Sequence, residues 1–385
     1  MHHGFVVGSR RVLGLGGAYT AVAEGADGLA WTPAAFANRP RSVVNRTSAT
    51  ADLGISLSLS GVDMDGDGIT PEPEDQLTAR TVFFGLSVLT SDMGLGVYAQ
   101  VVEGAGDRGD TDSLNTINVG LGAGWAIRDG EFVVGIAMEL LQACVGLSRL
   151  GLPEEGCGSG VRGHLGLLYR PPGAPLRLGA SLRSGAELGL DSDGLVASAA
   201  TDPLPTGFHM PRRLNLGFSY MFGPAAPGWN FRMSDDIGWG EAVRLADSRY
   251  LLLTVEVSHL ARSEHNVITG ESFLAEQDRR LMQEGSVSLH LGVESEAVRE
   301  RLRTRLGLYT VPNRAIGGVN DTAGGQGVHL TGGFDVRLMR LRVVDLRLSV
   351  QFDVAGDTYR NFGLGLGFWE PSIGLKRSVG IPATL

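Results

Sequence analysis

The stretch Ile117-Asn118-Val119-Gly120-Leu121-Gly122-Ala123-Gly124-Trp125-Ala126-Ile127 decides the fold. Ile117, Val119, Leu121, Ala123, Trp125 and Ile127 fall on every second residue, and between them stand only Asn118, three glycines and Ala126. A period of two puts each set on one side of a strand, whereas a helix would scatter both around its circumference. The pattern recurs with a more polar second face. Leu214, Leu216, Phe218, Tyr220 and Phe222 oppose Asn215, Gly217 and Ser219, and Val344, Leu346, Leu348, Val350 and Phe352 oppose Asp345, Arg347, Ser349, Gln351 and Asp353. A face carrying Asp345, Arg347 and Asp353 cannot be a dry core.

Working outward, the same alternation predicts strands over 51–60, 79–90, 94–103, 115–127, 131–141, 160–170, 175–184, 212–222, 250–262, 285–295, 300–311, 327–338, 342–354 and 360–369. This is an even set of fourteen. Their connections alternate: short at 91–93, 128–130, 171–174, 296–299 and 339–341, long at 61–78, 104–114, 142–159, 185–211, 263–284 and 312–326. Short turns at one end and long loops at the other describe a transmembrane antiparallel β-barrel of about 14 strands, as in bacterial outer membranes. Closure satisfies every backbone group in lipid and leaves an apolar belt outside with polar groups inside. Residues 223–249 break the rule, being long where a short turn is due; the segment packs under the barrel or the strand count fails there. A soluble β-sandwich is the competing fold.

Composition narrows the function. Glycine makes up 57 of 385 residues, about twice its usual share, without a triplet repeat. On the inner face of a barrel it leaves room for whatever fills the lumen. Net charge is −9, and all but one of the 33 basic residues are arginine, Lys376 being the lysine, so no basic stripe exists for a nucleic acid. The best candidate for a spanning helix, Phe132 to Leu141, is too short and is interrupted by Glu139. The start, Met1-His2-His3-Gly4-Phe5, lacks the pattern of an export signal. Trp125, Tyr169, Tyr220, Phe222, Tyr309, Phe368 and Trp369, near strand ends, suit interfacial girdles.

Residues Arg11-Val12-Leu13-Gly14-Leu15-Gly16-Gly17-Ala18-Tyr19-Thr20-Ala21-Val22-Ala23, continuing through Asp27-Gly28-Leu29-Ala30-Trp31-Thr32-Pro33-Ala34-Ala35-Phe36-Ala37, resemble the N-terminal hatch of the FadL/TodX family of outer-membrane transporters for hydrophobic compounds. Looser matches are Pro211 to Tyr220, Leu291 to Glu294 with Arg305 to Tyr309, and Phe362 to Trp369. The resemblance implies fourteen strands, with a hatch over 1–45 and a barrel over 46–369; residues 370–385 are then expected to form a periplasmic tail. Two departures stand out. The family's Asn-Pro-Ala is Thr32-Pro33-Ala34 here, losing an amide that could bond the wall, and the family chain normally stops at its last strand, where this one continues past Trp369.

Three constellations could carry chemistry. Asp63, Asp65 and Asp67, Gly68, the carbonyl of Ile69 and Glu74 stand at the spacing of a calcium loop, although the flanks read as strands rather than helices. A structural calcium and a solvated acidic loop both fit, and no other cofactor is required. Cys144 and Cys157 share one long loop, where a disulfide would stabilise by about 3 kcal/mol; two free thiols are the alternative. Parity turns Arg162, Arg177, Arg183, Glu256, Glu294, Arg303, Arg305, Asp335, Arg337, Asp345, Arg347 and Asp353 inward, as a ladder of ion pairs or, at Arg162 and Arg305, as polar anchors for a ligand headgroup. His164, His290 and His329 face the same way. Ser288 beside His290 does not assemble a nucleophile, base and orienting group, so no enzyme is expected.

The resemblance implies passive uptake of hydrophobic small molecules, fatty acids or hydrocarbons, across a bacterial outer membrane in contact with its lipid and lipopolysaccharide. Leu29, Trp31, Thr32, Pro33, Ala34 and Phe36 of the hatch would floor an apolar pocket, with lateral release through a side opening near the third strand at Gly94 and Gly96. The alternative is a PorV-like barrel that binds or shuttles secreted client proteins. The two differ in one observable: a pocket continuous with a side opening favours transport, and a sealed lumen under broad loops favours the partner role. Oligomeric state is open.

Overall fold

A computed structural model of the chain describes residues 8–38, 47–61, 76–90, 92–106, 113–147, 154–190, 207–224, 226–230, 249–261, 285–298, 301–312, 326–340, 345–355 and 359–368. Sixteen strands form one antiparallel sheet: β1 Thr47–Gly61, β2 Gln76–Thr90, β3 Met93–Gly106, β4 Ser113–Ile127, β5 Phe132–Leu147, β6 Glu154–Tyr169, β7 Leu176–Arg183, β8 Ala186–Leu190, β9 Gly207–Met210, β10 Arg213–Phe222, β11 Leu251–Leu260, β12 Ser286–Val298, β13 Leu302–Pro312, β14 Gln326–Arg340, β15 Asp345–Ala355 and β16 Tyr359–Phe368. The sheet closes where β1 pairs with β16, Asp52 opposite Gly367 and Ser60 opposite Tyr359. β7 and β8 both pair with β6, and β9 and β10 run beside β8 and β7, so each couple makes one stave. The sixteen strands are thus the fourteen staves expected from periodicity.

Both double staves break at one level. Ser184 and Gly185 separate β7 from β8, and Pro211 and Arg212 separate β9 from β10, although Arg183 still faces Arg213 and Ala186 faces Met210. Pro211 has no amide hydrogen to give to a ladder. The third strand has no such break: β3 pairs with β2 from Met93 to Gly106 and with β4 from Met93 to Ala105. The side opening expected at Gly94 and Gly96 is therefore not there.

Alternation sets what each face meets. Leu53, Ile55 and Leu57 of β1, Leu121 of β4, Leu291 of β12 and Phe362, Leu364 and Leu366 of β16 are exposed, forming an apolar outer belt. Their neighbours Asp52, Ser56, Glu294 and Asn361 are buried inward. No helix among the described residues is long and apolar enough to cross a membrane.

Inside the ring, residues 8–38 form a plug of short pieces: α1, Arg10–Gly14, capped by the Ser9 hydroxyl on the Val12 amide, then single 3-10 turns at Ala26–Gly28 and Pro33–Phe36. Glycine lets it lie against the wall. At Gly94 a Cβ would strike the Phe36 carbonyl, and at Gly135 that of Pro33, so neither site tolerates a side chain. Beneath the plug, residues 226–230 of the long connection pack upward, Ala226 and Trp229 joining Val12, Leu13, Tyr19, Val22, Trp31 and Tyr250 in one apolar cluster. The described part of the oversized turn, 226–230, thus packs against the plug, and the strand count stands.

Cys144 and Cys157 form a disulfide, but they lie within strands rather than in a loop. β5 and β6 continue past the stretches expected from alternation, and the two cysteines face each other across that ladder with Cα atoms 4.1 Å apart. The expected calcium loop, Asp63 to Glu74, and the tail over 370–385 lie outside the described residues.

Candidate functional site

The plug is a chain of short turns, so only part of its backbone bonds within itself, and the remaining buried polar groups need partners. The wall supplies them. Glu256 of β11 accepts the amides of Tyr19 at 2.9 Å and Thr20 at 2.8 Å and the Trp31 indole at 3.0 Å. Thr254 donates to the Ala18 carbonyl, Ser219 to Ala21, Ser181 to Trp31, and a His290 ring nitrogen lies 2.6 Å from the Gly16 carbonyl. Arg183 donates to the Ala30 carbonyl. At the plug's end, Asn38 holds the Val22 and Ala23 carbonyls and is itself held by Arg170 at 3.1 Å.

Charges join plug to wall in three groups. In the first, Arg11 grips Glu294 with two parallel bonds of 2.8 and 2.7 Å, and Arg305 reaches the same carboxylate at 2.6 Å while pairing with both oxygens of Asp335. In the second, Arg347 holds Asp27 of the plug at 3.1 and 3.2 Å and Asp52 of β1 at 2.5 Å. The third lies at the short-turn end: Glu24 meets Arg177 at 2.7 Å, Arg11 at 3.1 Å and the Trp229 indole at 3.2 Å. Arg177 stacks over Trp229, 3.9 Å from the ring centre, and donates to Asn230 and to the Trp229 carbonyl. Bidentate and charge-assisted bonds of this kind are the strong ones.

The expected hatch and anchor residues are luminal and engaged. Leu29, Trp31, Thr32, Pro33, Ala34 and Phe36 are buried. Thr32 keeps its place in the altered motif by capping the Pro33–Phe36 turn, its hydroxyl accepting from the Ala34 amide at 3.4 Å. Phe36 lies over Gly96 and Gly122 of the wall. Arg162 is paired with Glu139, and Arg305 is shared between Glu294 and Asp335, so neither guanidinium is a free anchor. Among the described residues Ser288 and His290 share no hydrogen bond, His290 turning instead to the Gly16 carbonyl. A closer alignment exists at Ser181, His164 and Glu139, with Ser181 Oγ 2.7 Å from Nε2 and Glu139 3.2 Å from Nδ1. Its members serve packing: the Ser181 hydroxyl goes to the Trp31 carbonyl, and Glu139 is taken up by Tyr98, Arg162 and Arg183.

The residues missed from sequence are Arg10, Arg11, Glu24 and Asp27 in the plug and Asp52 and Glu139 in the wall. Glu139 reads in sequence only as an interruption of an apolar run. Its parity with Ala137 and Leu141, both buried, would have turned it inward.

No protein-family model matches the chain, and no curated protein matches it in sequence. Solved structures do. A FadL homologue from Pseudomonas aeruginosa superposes with a TM-score of 0.57 at 12% identity, over 95% of this chain and 99% of that one. A TodX deltaS2S3 mutant, a monoaromatic hydrocarbon channel, gives 0.59 at 14% identity over 95% and 98%. The toluene transporter TbuX from Ralstonia pickettii gives 0.54 at 12% identity, again over 95% and 98%. The chain therefore has the fold of the FadL-type channels, a fourteen-stave barrel, and shares it over nearly its whole length.

Proposed function

We propose that this protein is an outer-membrane channel through which hydrophobic small molecules enter a Gram-negative bacterium. The observation that carries the reading is the match in fold, along nearly the whole chain, to structures described as hydrocarbon channels and a toluene transporter. The apolar outer belt supports a place in a membrane, since a water-exposed sheet would not present Leu121, Leu364 and their neighbours together. Such a route needs no energy source, only capture and release.

In this reading the plug is a hatch. Leu29, Trp31, Pro33 and Phe36 floor the captured ligand and shift to pass it. The break in β7/β8 and β9/β10 supports a lateral exit at that level rather than at the third strand, because pairing between these two staves lapses there. Single backbone bonds, from the Ser184 amide to the Gly163 carbonyl and from the Ala261 amide to that of Arg212, hold the break residues to the flanking staves. The test is uptake of labelled long-chain fatty acid and of toluene by cells carrying the intact protein or the double variant Trp31→Ala, Phe36→Ala. The intact protein should raise uptake of at least one solute above empty-vector cells, and the variant should change that rate. If neither solute enters faster, the client-binding reading replaces this one. That second reading draws on the burial of Phe36 and Trp31 inside the barrel.

The acidic segment 63–74 is proposed to hold a structural calcium, with Asp63, Asp65, Asp67, Glu74 and the Ile69 carbonyl as ligands. Titration calorimetry should show a site that Asp65→Ala removes; equal heats from both proteins would mark the segment as solvated only.

A further inference from the structure

At the long-loop end of the outer face, the exposed basic side chains among the described residues are Arg80, Arg212, His259 and Arg360. Arg80 has a carboxylate across the ladder, Glu103 at 3.9 Å, and Arg360 lies between Leu59 and Val354. Arg212 and His259 form a pair. His259 of β11 faces Leu214 of β10, and the Ala261 amide donates to the Arg212 carbonyl at 2.8 Å, which carries the same ladder past the end of β10. Arg212 is therefore the diagonal neighbour of His259 on one face. Such neighbours are about 7–8 Å apart, within reach of long side chains converging on a common group. Among the described residues no carboxylate faces the pair: Leu214 and Val287 flank His259, Ala261 lies across from Arg212, and Glu187, above the break, stands opposite His209.

Below the pair runs a column of exposed apolar side chains two staves wide. Leu214, Leu216 and Phe218 project from β10, and Val257 and Val255 of β11 stand opposite Leu216 and Phe218. The column ends at Arg212 and His259, so this level is where hydrocarbon gives way to lipid headgroups. Long loops mark the end that faces the cell exterior, where the leaflet is built of lipopolysaccharide. Its lipid A anchor joins several acyl chains to phosphorylated sugars. A guanidinium matches a phosphate with parallel charge-assisted N–H bonds, and an imidazole beside it supplies a further donor. The wall next to the pair also leaves room for a sugar. Gly163 of β6 is exposed on the outer face, and a Cβ there would meet nothing nearer than the Ser184 hydroxyl at 3.9 Å; Ser184 and Gly185 of the break continue the notch.

We propose that Arg212 and His259 bind a phosphate of lipid A, whose acyl chains lie along the column from Leu214 to Phe218 and whose sugar covers the notch at Gly163, Ser184 and Gly185. The lipid is then a fixed part of the wall at the outer mouth of the break. That role rests on the reading of the break as a lateral exit; the binding itself rests on the outer face alone.

The test uses the full chain in detergent, with bound lipid counted by native mass spectrometry during titration with bisphosphorylated lipid A, with the same lipid stripped of its phosphates, and with phosphatidylglycerol. Lipid A should be held about tenfold more tightly than its phosphate-free form, the worth of one charge-assisted bond. Arg212→Gln should remove that preference and His259→Gln should reduce it, while Arg80→Gln keeps it. Both side chains of the pair are exposed, so the variants should fold, and heat-modifiable migration on a gel checks this. Equal retention of lipid A and its phosphate-free form by the intact protein, equal retention of phosphatidylglycerol, or a preference that survives Arg212→Gln overturns the site. Toluene uptake by cells tests the channel reading separately. A protein that binds lipid A but admits no toluene loses the exit and keeps the site, and one that admits toluene without the lipid preference loses the site alone.

Discussion

Replacing Glu24 with glutamine should release the plug from its floor. Glu24 is the point where three parts meet: Arg11 of the plug itself, Arg177 of β7, and Trp229 of the connection beneath. Glutamine keeps the shape and removes the charge. Arg11 retains Glu294, but Arg177 is buried and would lose its carboxylate, a loss of about 3–5 kcal/mol for a broken buried pair. The expected readout is a rise in ion conductance in planar bilayers, together with protease cleavage of the plug, neither seen with the intact protein. Acidity should mimic the change. Burial by itself would raise the Glu24 carboxyl, but Arg177 and Arg11 outweigh it and hold the group at about 2, against an ordinary 4.5. A carboxylate depressed in this way contributes fully above its unfolded value and loses that contribution as pH falls through its folded one. The intact channel should therefore stay shut at pH 7 and 5 and loosen between about 4.5 and 2. The glutamine variant should be open throughout. Equal conductance of the two proteins at pH 7 would mean that Glu24 is not a latch.

Glu294→Leu should be the most damaging single change in the wall. Its carboxylate takes two bonds from Arg11, one from Arg305 and one from the Tyr250 hydroxyl at 2.7 Å, with no solvent to replace them. Leucine strips Arg11 of its two-bond partner, leaving only the Nη1 contacts to Glu24 and the Tyr19 hydroxyl, and leaves Arg305 with Asp335 alone. Urea unfolding in lipid vesicles should report a loss of about 3–5 kcal/mol, since stranding one partner of a buried pair costs far more than the pair is worth. Arg80→Leu is the contrast. Arg80 and Glu103 are 3.9 Å apart with side chains 59% and 50% exposed, and such pairs contribute about 1 kcal/mol or less. Similar midpoints for both variants would mean that the luminal ladder does not hold the barrel together.

Much of the wall was legible because a membrane barrel is a repetition of one rule. Leu53 outward and Asp52 inward say the same thing as Leu366 outward and Gly367 inward, so each stave is a fresh reading of the alternation. Where alternation thins, the reading fell short. Gly156, Gly158 and Gly160 carry no side chain to alternate, which hid the part of β6 that holds Cys157. The break at Ser184 and Gly185 was also hidden, because it reverses the alternation: Arg177 and Ser181 are buried before it and Ala186 and Leu188 after it, so one period of two does not run through the stave. The plug was harder. Arg11 and Glu24 have no period to betray a direction, and their partners, Glu294 and Arg177, are 283 and 153 residues away. A charge in an apolar, glycine-rich segment was the available signal. It says that a partner exists without saying where.

The plug leads into β1, and β1 completes the ring with β16, which comes late in the chain. That order bears on how the molecule is built. Arg11, Glu24 and Asp27 are joined by salt bridges to strands spread around the circumference, and a ring closed beforehand would have to admit them past its own ion pairs. Assembly is simpler if the first-made segment is already in place when the final strand meets the first. The plug then acts as a mandrel: strands are wound about it, and its width, rather than the sheet alone, sets how many staves are needed before the two edges meet.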